Sequence, residues 1–306
     1  MNLGLSLSLR SGGGGAAAAA VNPLFAIYEG PMLNGLRLTL TTNVAVPTAD
    51  VTGATTLYLT PFISGYLALY VSSVWTAYST AQVSIALGTL TSGRNYDVFA
   101  YYTGSAVALE LSTAWTNDTT RATALATQDG IYVKTGDATR RYVGTIRTTS
   151  TTATEDSAAK RFVYNGPEPW RQSTRPLVSP AEPADSWSYA LTTIRQANAN
   201  AANQVEVVVG LPTPVRADLT AMGALNATSP IVGIGVDSTS AFVAGQRNTS
   251  TVGAFSQVSA VYSGVLSAGY HYVAWLERAN AASSAVFYGD AGLPNVQAGL
   301  TAQVPG

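Results

Sequence analysis

From residue 36 onward the chain is built of short runs in which apolar and polar residues alternate: LRLTLTT, TTLYLT, YLALYVSSVW, YDVFAYY, VALELS, IYVK and RRYVGTIRTT, then SWSYALTTIRQ, NQVEVVVG, IVGIGV, FSQVSAVYSG, YHYVAWLE and AVFYGD. Successive side chains of a strand point to opposite faces, so a repeat of two gives one buried and one wet face, whereas a helix needs a repeat of 3.6. Between the runs stand Pro61, Ser92-Gly93, Asp129-Gly130 and Gly136-Asp137, residues that accept tight turns. The pattern predicts an all-β chain: two antiparallel β-sandwich or barrel-like domains with an extended N-terminal arm. One helical exception is expected, where Asn117-Asp118 offers a cap and Ala122, Leu125 and Ala126 fall on one side of the next turns.

Residues 1–35 read as the arm with its Gly/Ala linker, residues 36–165 as the first β domain, 166–185 as a Pro-rich linker and 186–306 as the C-terminal β domain. Five prolines in NGPEPWRQSTRPLVSPAEPAD remove backbone donors and favour extended, unpaired chain. In the arm, Leu3, Leu5, Leu7 and Leu9 share one face of LGLSLSLRS, and the glycines and alanines that follow cannot form a core. This leucine face is expected to dock on a neighbour in an assembly. AAAAAV at 16–21 is not expected to be a secretion signal, because no basic leader precedes it and Asn22-Pro23 breaks it.

Hydrophobic residues make up 47% of the chain and charged ones 11%, against about a quarter in an ordinary soluble domain. Sixteen basic and 17 acidic residues nearly cancel, which argues against disorder. Nucleic acid is not an expected partner, since the basic residues form no stripe that could displace phosphate counterions. No apolar run reaches the roughly 18 residues of a membrane-spanning helix, so no membrane insertion is expected. With no cysteine, neither a disulfide nor a thiol nucleophile is available.

Candidate sites are few. The single histidine, His271, lies in YHYVAWLE, where His271, Val273, Trp275 and Glu277 share one face and Tyr270, Tyr272, Ala274 and Leu276 the other. His271 and Glu277 lie roughly 20 Å apart along one strand, too far for a catalytic dyad. Glu155-Asp156 and Glu182 with Asp185 are the close acidic pairs, and both are expected in solvated turns, not across a glycosidase cleft. No catalytic, metal or cofactor residue is assigned, and no cofactor is expected. Tyrosines outnumber phenylalanines 16 to 7, a bias suited to rings with one wet edge, so Tyr270, Tyr272 and Trp275 are the candidate glycan- or interface-facing aromatics.

Residues 92–165, with AWTNDTTRATALATQDGIYVK, TRRYVGTIRTT and TEDSAAKRFVYN as their most specific pieces, resemble a module of structural proteins in tailed bacteriophages, especially fibre and tail proteins. The stretches SWSYALTTIRQANANAANQVEVVVG, IVGIGVDSTSA, HYVAWLE and YGDAG are similar to the segment that follows that module. The resemblance implies a non-enzymatic virion component. It would be a tail fibre or spike attached to other virion proteins by its N-terminal arm, with the C-terminal domain turned to host-surface glycan. A capsid head fibre or decoration protein is the first alternative and a polysaccharide-degrading tailspike the second, although the chain shows no long coil repeat. Threefold fibres are common among such proteins, so the resemblance also implies a homotrimer.

Overall fold

The computed structural model describes residues 33–166, 175–247, 253–290 and 298–305. The leucine face of the arm, Leu3 to Leu9, lies outside them. In chain order the strands are β1 (Leu36–Thr39), β2 (Val51–Ala54), β3 (Thr56–Pro61), β4 (Tyr66–Val71), β5 (Val74–Ser79), β6 (Val83–Ala86), β7 (Asn95–Tyr102) and β8 (Val107–Leu111). There follow β9 (Leu125–Gln128), β10 (Ile131–Lys134), β11 (Asp137–Arg147), β12 (Thr154–Asp156), β13 (Lys160–Arg161), β14 (Val163–Asn165), β15 (Leu177–Val178), β16 (Ser186–Tyr189) and β17 (Arg195–Gln196). The last are β18 (Gln204–Val209), β19 (Thr213–Ala224), β20 (Pro230–Val236), β21 (Ala244–Arg247), β22 (Phe255–Leu266), β23 (Gly269–Ala279), β24 (Ala285–Tyr288) and β25 (Gly299–Gln303). Among the described residues there is no α-helix, and Ala197–Ala199 forms one 3-10 turn. The chain is all-β.

Two hydrophobic clusters organise these strands. Leu36, Leu38, Leu57, Leu59, Leu67, Leu69, Val98 and Ile146 fill the first, between the β1-β3-β6 sheet, the β4-β5 hairpin and the β8-β7-β11-β10-β9 sheet. The second is a sandwich core. Val205, Val207, Val232, Ile234, Val273 and Trp275 face Val215, Ala217, Leu219, Val258, Phe287 and Leu300 from the β15-β25-β19-β24-β16 sheet, on which β22 pairs with β19. Burial of one such Leu, Ile, Val or Phe contributes about 1.5–3 kcal/mol. The period-two rule even divides neighbours between cores, sending Val163 into the first and Phe162 and Tyr164 into the second.

Hydrogen bonding also crosses from one half of the chain to the other. One eight-stranded sheet has the order β2-β12-β13-β18-β23-β20-β21, and β17 adds to β23. Its first three strands come from before residue 166 and the rest from after 186. The join is a parallel ladder, Lys160 to Glu206 and Arg161 to Val207; every other named strand pair is antiparallel. At the same seam Gly210 runs against the first half so closely that a Cβ would lie 1.8 Å from the Tyr142 hydroxyl and 2.5 Å from Thr145 Oγ1.

Three local expectations fail. The helix expected at 117–126 is an irregular turn followed by β9. Asn117 Oδ1 accepts the Thr119 N–H at 2.9 Å, an Asx turn that competes with helical bonding, and Leu125–Gln128 then pairs with β10 across Asp129-Gly130. Both turn residues have positive φ, 51° and 83°, as a type I′ hairpin requires. The run YLALYVSSVW is a hairpin instead of one strand. It turns at Ser72-Ser73, again with positive φ at both positions, and Val71 faces Val74. SWSYALTTIRQ is likewise broken, into β16 and β17.

Candidate functional site

β23 carries every residue that the sequence marked near His271, and it lies inside the sheet with β18 on one side and β20 on the other. A strand in that place has both hydrogen-bonding edges occupied. His271 is 4% exposed; its Nδ1 lies 2.7 Å from Asp237 Oδ2 and its Nε2 2.8 Å from the Ser267 carbonyl. Carboxylate and carbonyl are both acceptors, so the ring satisfies them together only when both nitrogens carry protons. Burial lowers the pKa of His271, but the bond to Asp237, its charge and the Ser267 carbonyl outweigh that, leaving it above the ordinary histidine value. Asp237 also accepts the Tyr272 N–H at 3.0 Å and has φ of 53°, so the His271 ring closes a turn.

Glu277 stands in a separate cluster. Its side chain is fully buried, and it accepts from Trp187 Nε1 at 2.7 Å, Arg195 Nε at 2.8 Å and the Asn198 N–H at 3.2 Å. Burial raises its pKa by more than Trp187 and Arg195 lower it. His271 and Glu277 therefore serve different partners. Trp275 is 0% exposed, packed 6.0 Å from the Trp187 ring, and is a core residue instead of a glycan-facing one. Tyr270 donates to Glu206 Oε2 at 2.7 Å, and its ring lies 3.8 Å from the Arg147 guanidinium carbon, so its wet edge is occupied within the chain. Tyr272 alone of the three keeps a partly open ring without a bond to its hydroxyl among those described.

Neither acidic pair expected in a solvated turn lies in one: Glu155 and Asp156 are on strand β12, and Glu182 is buried. Glu182 is 2% exposed, and its carboxylate accepts from the side-chain amides of Asn198, Asn200 and Asn203 at 2.9–3.0 Å and from the Ala184 N–H. Burial pushes its pKa up, and these donors more than reverse that, holding it below the usual carboxylate range. Asp156 lies among Arg161, Arg175 and Arg37, and burial outweighs all three to raise its pKa. In the same cluster burial, with Arg161 beside it, lowers Arg37 to about 10. Asp185 is exposed, as expected.

No protein-family model and no curated protein sequence matches the chain. Among solved structures it is similar to the insecticidal delta-endotoxin Cry8Ea1 of Bacillus thuringiensis, at 10% identity and a TM-score of 0.27, over 92% of this chain and 56% of that one. The mosquito-larvicidal Cry4Aa toxin of the same organism gives 6% identity and a TM-score of 0.25, over 84% and 51%. The chain spans about half the length of either toxin.

Sequence reading passed over a carboxylate bonded as heavily as Glu182. Asp97, 1% exposed, accepts from Arg121 Nε at 2.8 Å and Nη2 at 3.0 Å, from Thr145 Oγ1 at 2.8 Å and from Trp115 Nε1 at 3.2 Å. Burial still raises its pKa. Arg121 in turn bonds the Gly210 carbonyl of the other half, and its guanidinium lies over the Trp115 ring at 4.3 Å. Beside it Arg147 bridges Asn95 and Asp118, whose carbonyl accepts the Tyr270 N–H at 2.8 Å. A signal for this seam was in the sequence: one acid inside the otherwise uncharged run NYDVFAYY, on a strand that buries six of its eight residues. Among the described residues no group of three or more His, Asp or Glu side chains converges to hold a metal ion.

Proposed function

We propose that this chain is a non-enzymatic structural component of a tailed-phage virion, a tail fibre or spike that attaches through its N-terminal arm and turns its C-terminal half outward. One observation supports the non-enzymatic part most directly. His271, Glu277, Glu182 and Asp97 are each buried and have their polar atoms engaged by groups of the same chain. A general acid, base or nucleophile needs a free face toward a substrate within hydrogen-bond reach, and these four spend theirs on internal bonds. The phage part rests on the resemblance of residues 92–165, and of the segment that follows them, to a module of phage structural proteins.

The test is location. Antibodies against the chain should label tailed particles released from the cells that make it, at the tail or the adsorption apparatus, and deletion of residues 1–20 should leave the protein folded but absent from particles. Abundant expression with no label on particles overturns the virion reading. Steady release of reducing ends from host-surface polysaccharide by the purified chain overturns the non-enzymatic one.

A further inference from the structure

β22 differs from the other strands that end a sheet. It runs 12 residues, Phe255 to Leu266, and pairs with β19 without a register shift from Phe255–Ala224 to Leu266–Thr213. Among the described residues its opposite edge has no ladder. The remaining edge strands run two to six residues, β4 and β5 of the two-stranded hairpin being the longest of them. Short length is one way a protein blunts an edge; charges, prolines and bulges are the others. FSQVSAVYSGVL has none of these.

Its two faces are clearly sorted. Val258, Ala260 and Leu266 enter the sandwich core, whereas Phe255, Gln257, Ser259, Val261, Ser263 and Val265 all face solvent, with Phe255, Val261 and Val265 at 62, 50 and 66% exposure. The nearest charges on the same face, Arg216 and Asp218 one strand back, are bonded to each other at 2.7 and 2.9 Å and so cancel.

We infer that the β22 edge is an interface with a second copy of this chain, the two β22 strands pairing antiparallel about a two-fold axis to join two six-stranded sheets into one. Self-complementarity selects this occupant. A two-fold places each residue opposite a residue of the identical strand, so any charge on β22 would meet a charge of its own sign nearby, and there is none. With Ala260 on the axis, Phe255 meets Val265, Gln257 meets Ser263 and Ser259 meets Val261 on the solvent face, while Val258 meets Tyr262 on the inner one. Phe255 and Val265 bring apolar surface together, Gln257 and Ser263 bring polar groups together, and Val261 meets the small Ser259. The inference does not depend on where the chain sits in a particle.

Native mass of the full chain tests it. The wild type should weigh twice the 31.7 kDa chain, in high salt as in low. Val261→Lys, which puts a like charge on each side of the axis at a solvent-facing position, should halve that mass. Leu191→Lys, at an exposed position off the strand, should leave it unchanged. Because the chain has no cysteine, a nitroxide on Ser259→Cys reports the pairing independently of the lysine variant, and two copies should show strong dipolar broadening that excess unlabelled chain dilutes away. A monomeric or three-fold mass for the wild type, a Val261→Lys protein that stays dimeric, or an undiluted, unbroadened spectrum overturns the proposal.

Discussion

His271 couples a single proton to the fold. Its folded pKa lies above the unfolded value of about 6.5, so the stability it contributes is fully present below that value and is lost as pH rises through the elevated folded one. Thermal melting should therefore fall on going from about pH 6 to pH 8.5, and His271→Asn, which cannot carry the charge, should flatten that slope; an unchanged slope counts against the imidazolium. Glu277 tests burial of the opposite charge. Arg195→Ala leaves the carboxylate in place with its main counter-charge gone, and breaking a buried pair from one side costs about 3–5 kcal/mol. Arg195 keeps some solvent contact, so urea unfolding should give the lower end of that range. A loss under about 1 kcal/mol would mean the pair behaves as an exposed one.

At the scale of elements, legibility followed the amplitude of the alternation. YDVFAYY, NQVEVVVG and YHYVAWLE alternate with large apolar side chains, and they became β7, β18 and β23. β19 is as long as any strand and alternates from Thr213 to Gly223, burying Val215, Ala217, Leu219 and Ala221, yet two of those four are alanines and Pro214 comes near its start, so it did not stand out. Turns inside apolar runs were hidden for another reason: Ser72-Ser73 does the work usually given to Asn-Gly. Ser73→Gly should relieve the left-handed strain and raise stability by about 0.5–1 kcal/mol in chemical unfolding; a loss would show that the serine is held there by something other than the turn. The buried clusters were illegible because their partners come from afar in sequence, Glu182 with Asn203 and Asp97 with Arg121. Chain spacing does not bring such groups together until the sheets are laid out.

Over the whole molecule, the seam ties the halves more closely than the Pro-rich composition around residues 166–185 suggested. A sheet that runs from β2 to β21, Phe162 and Tyr164 in the second core, and Arg121 on the Gly210 carbonyl all cross it. Calorimetry should show one unfolding transition, and two well-separated ones would make the seam a weak contact. Gly210→Ala, which pushes a methyl into Tyr142 and Thr145, should lower that single transition with a loss of about 1–3 kcal/mol. The parallel ladder between β13 and β18 has a consequence for synthesis. The chain leaves the ribosome N-terminus first, and a parallel partner cannot be reached by a tight turn. Lys160 and Arg161 are made 46 residues before Glu206 and Val207, so for several seconds at about 5–20 residues per second the growing chain carries an unfinished sheet, and whatever shields that sheet in the cell governs how much protein is recovered.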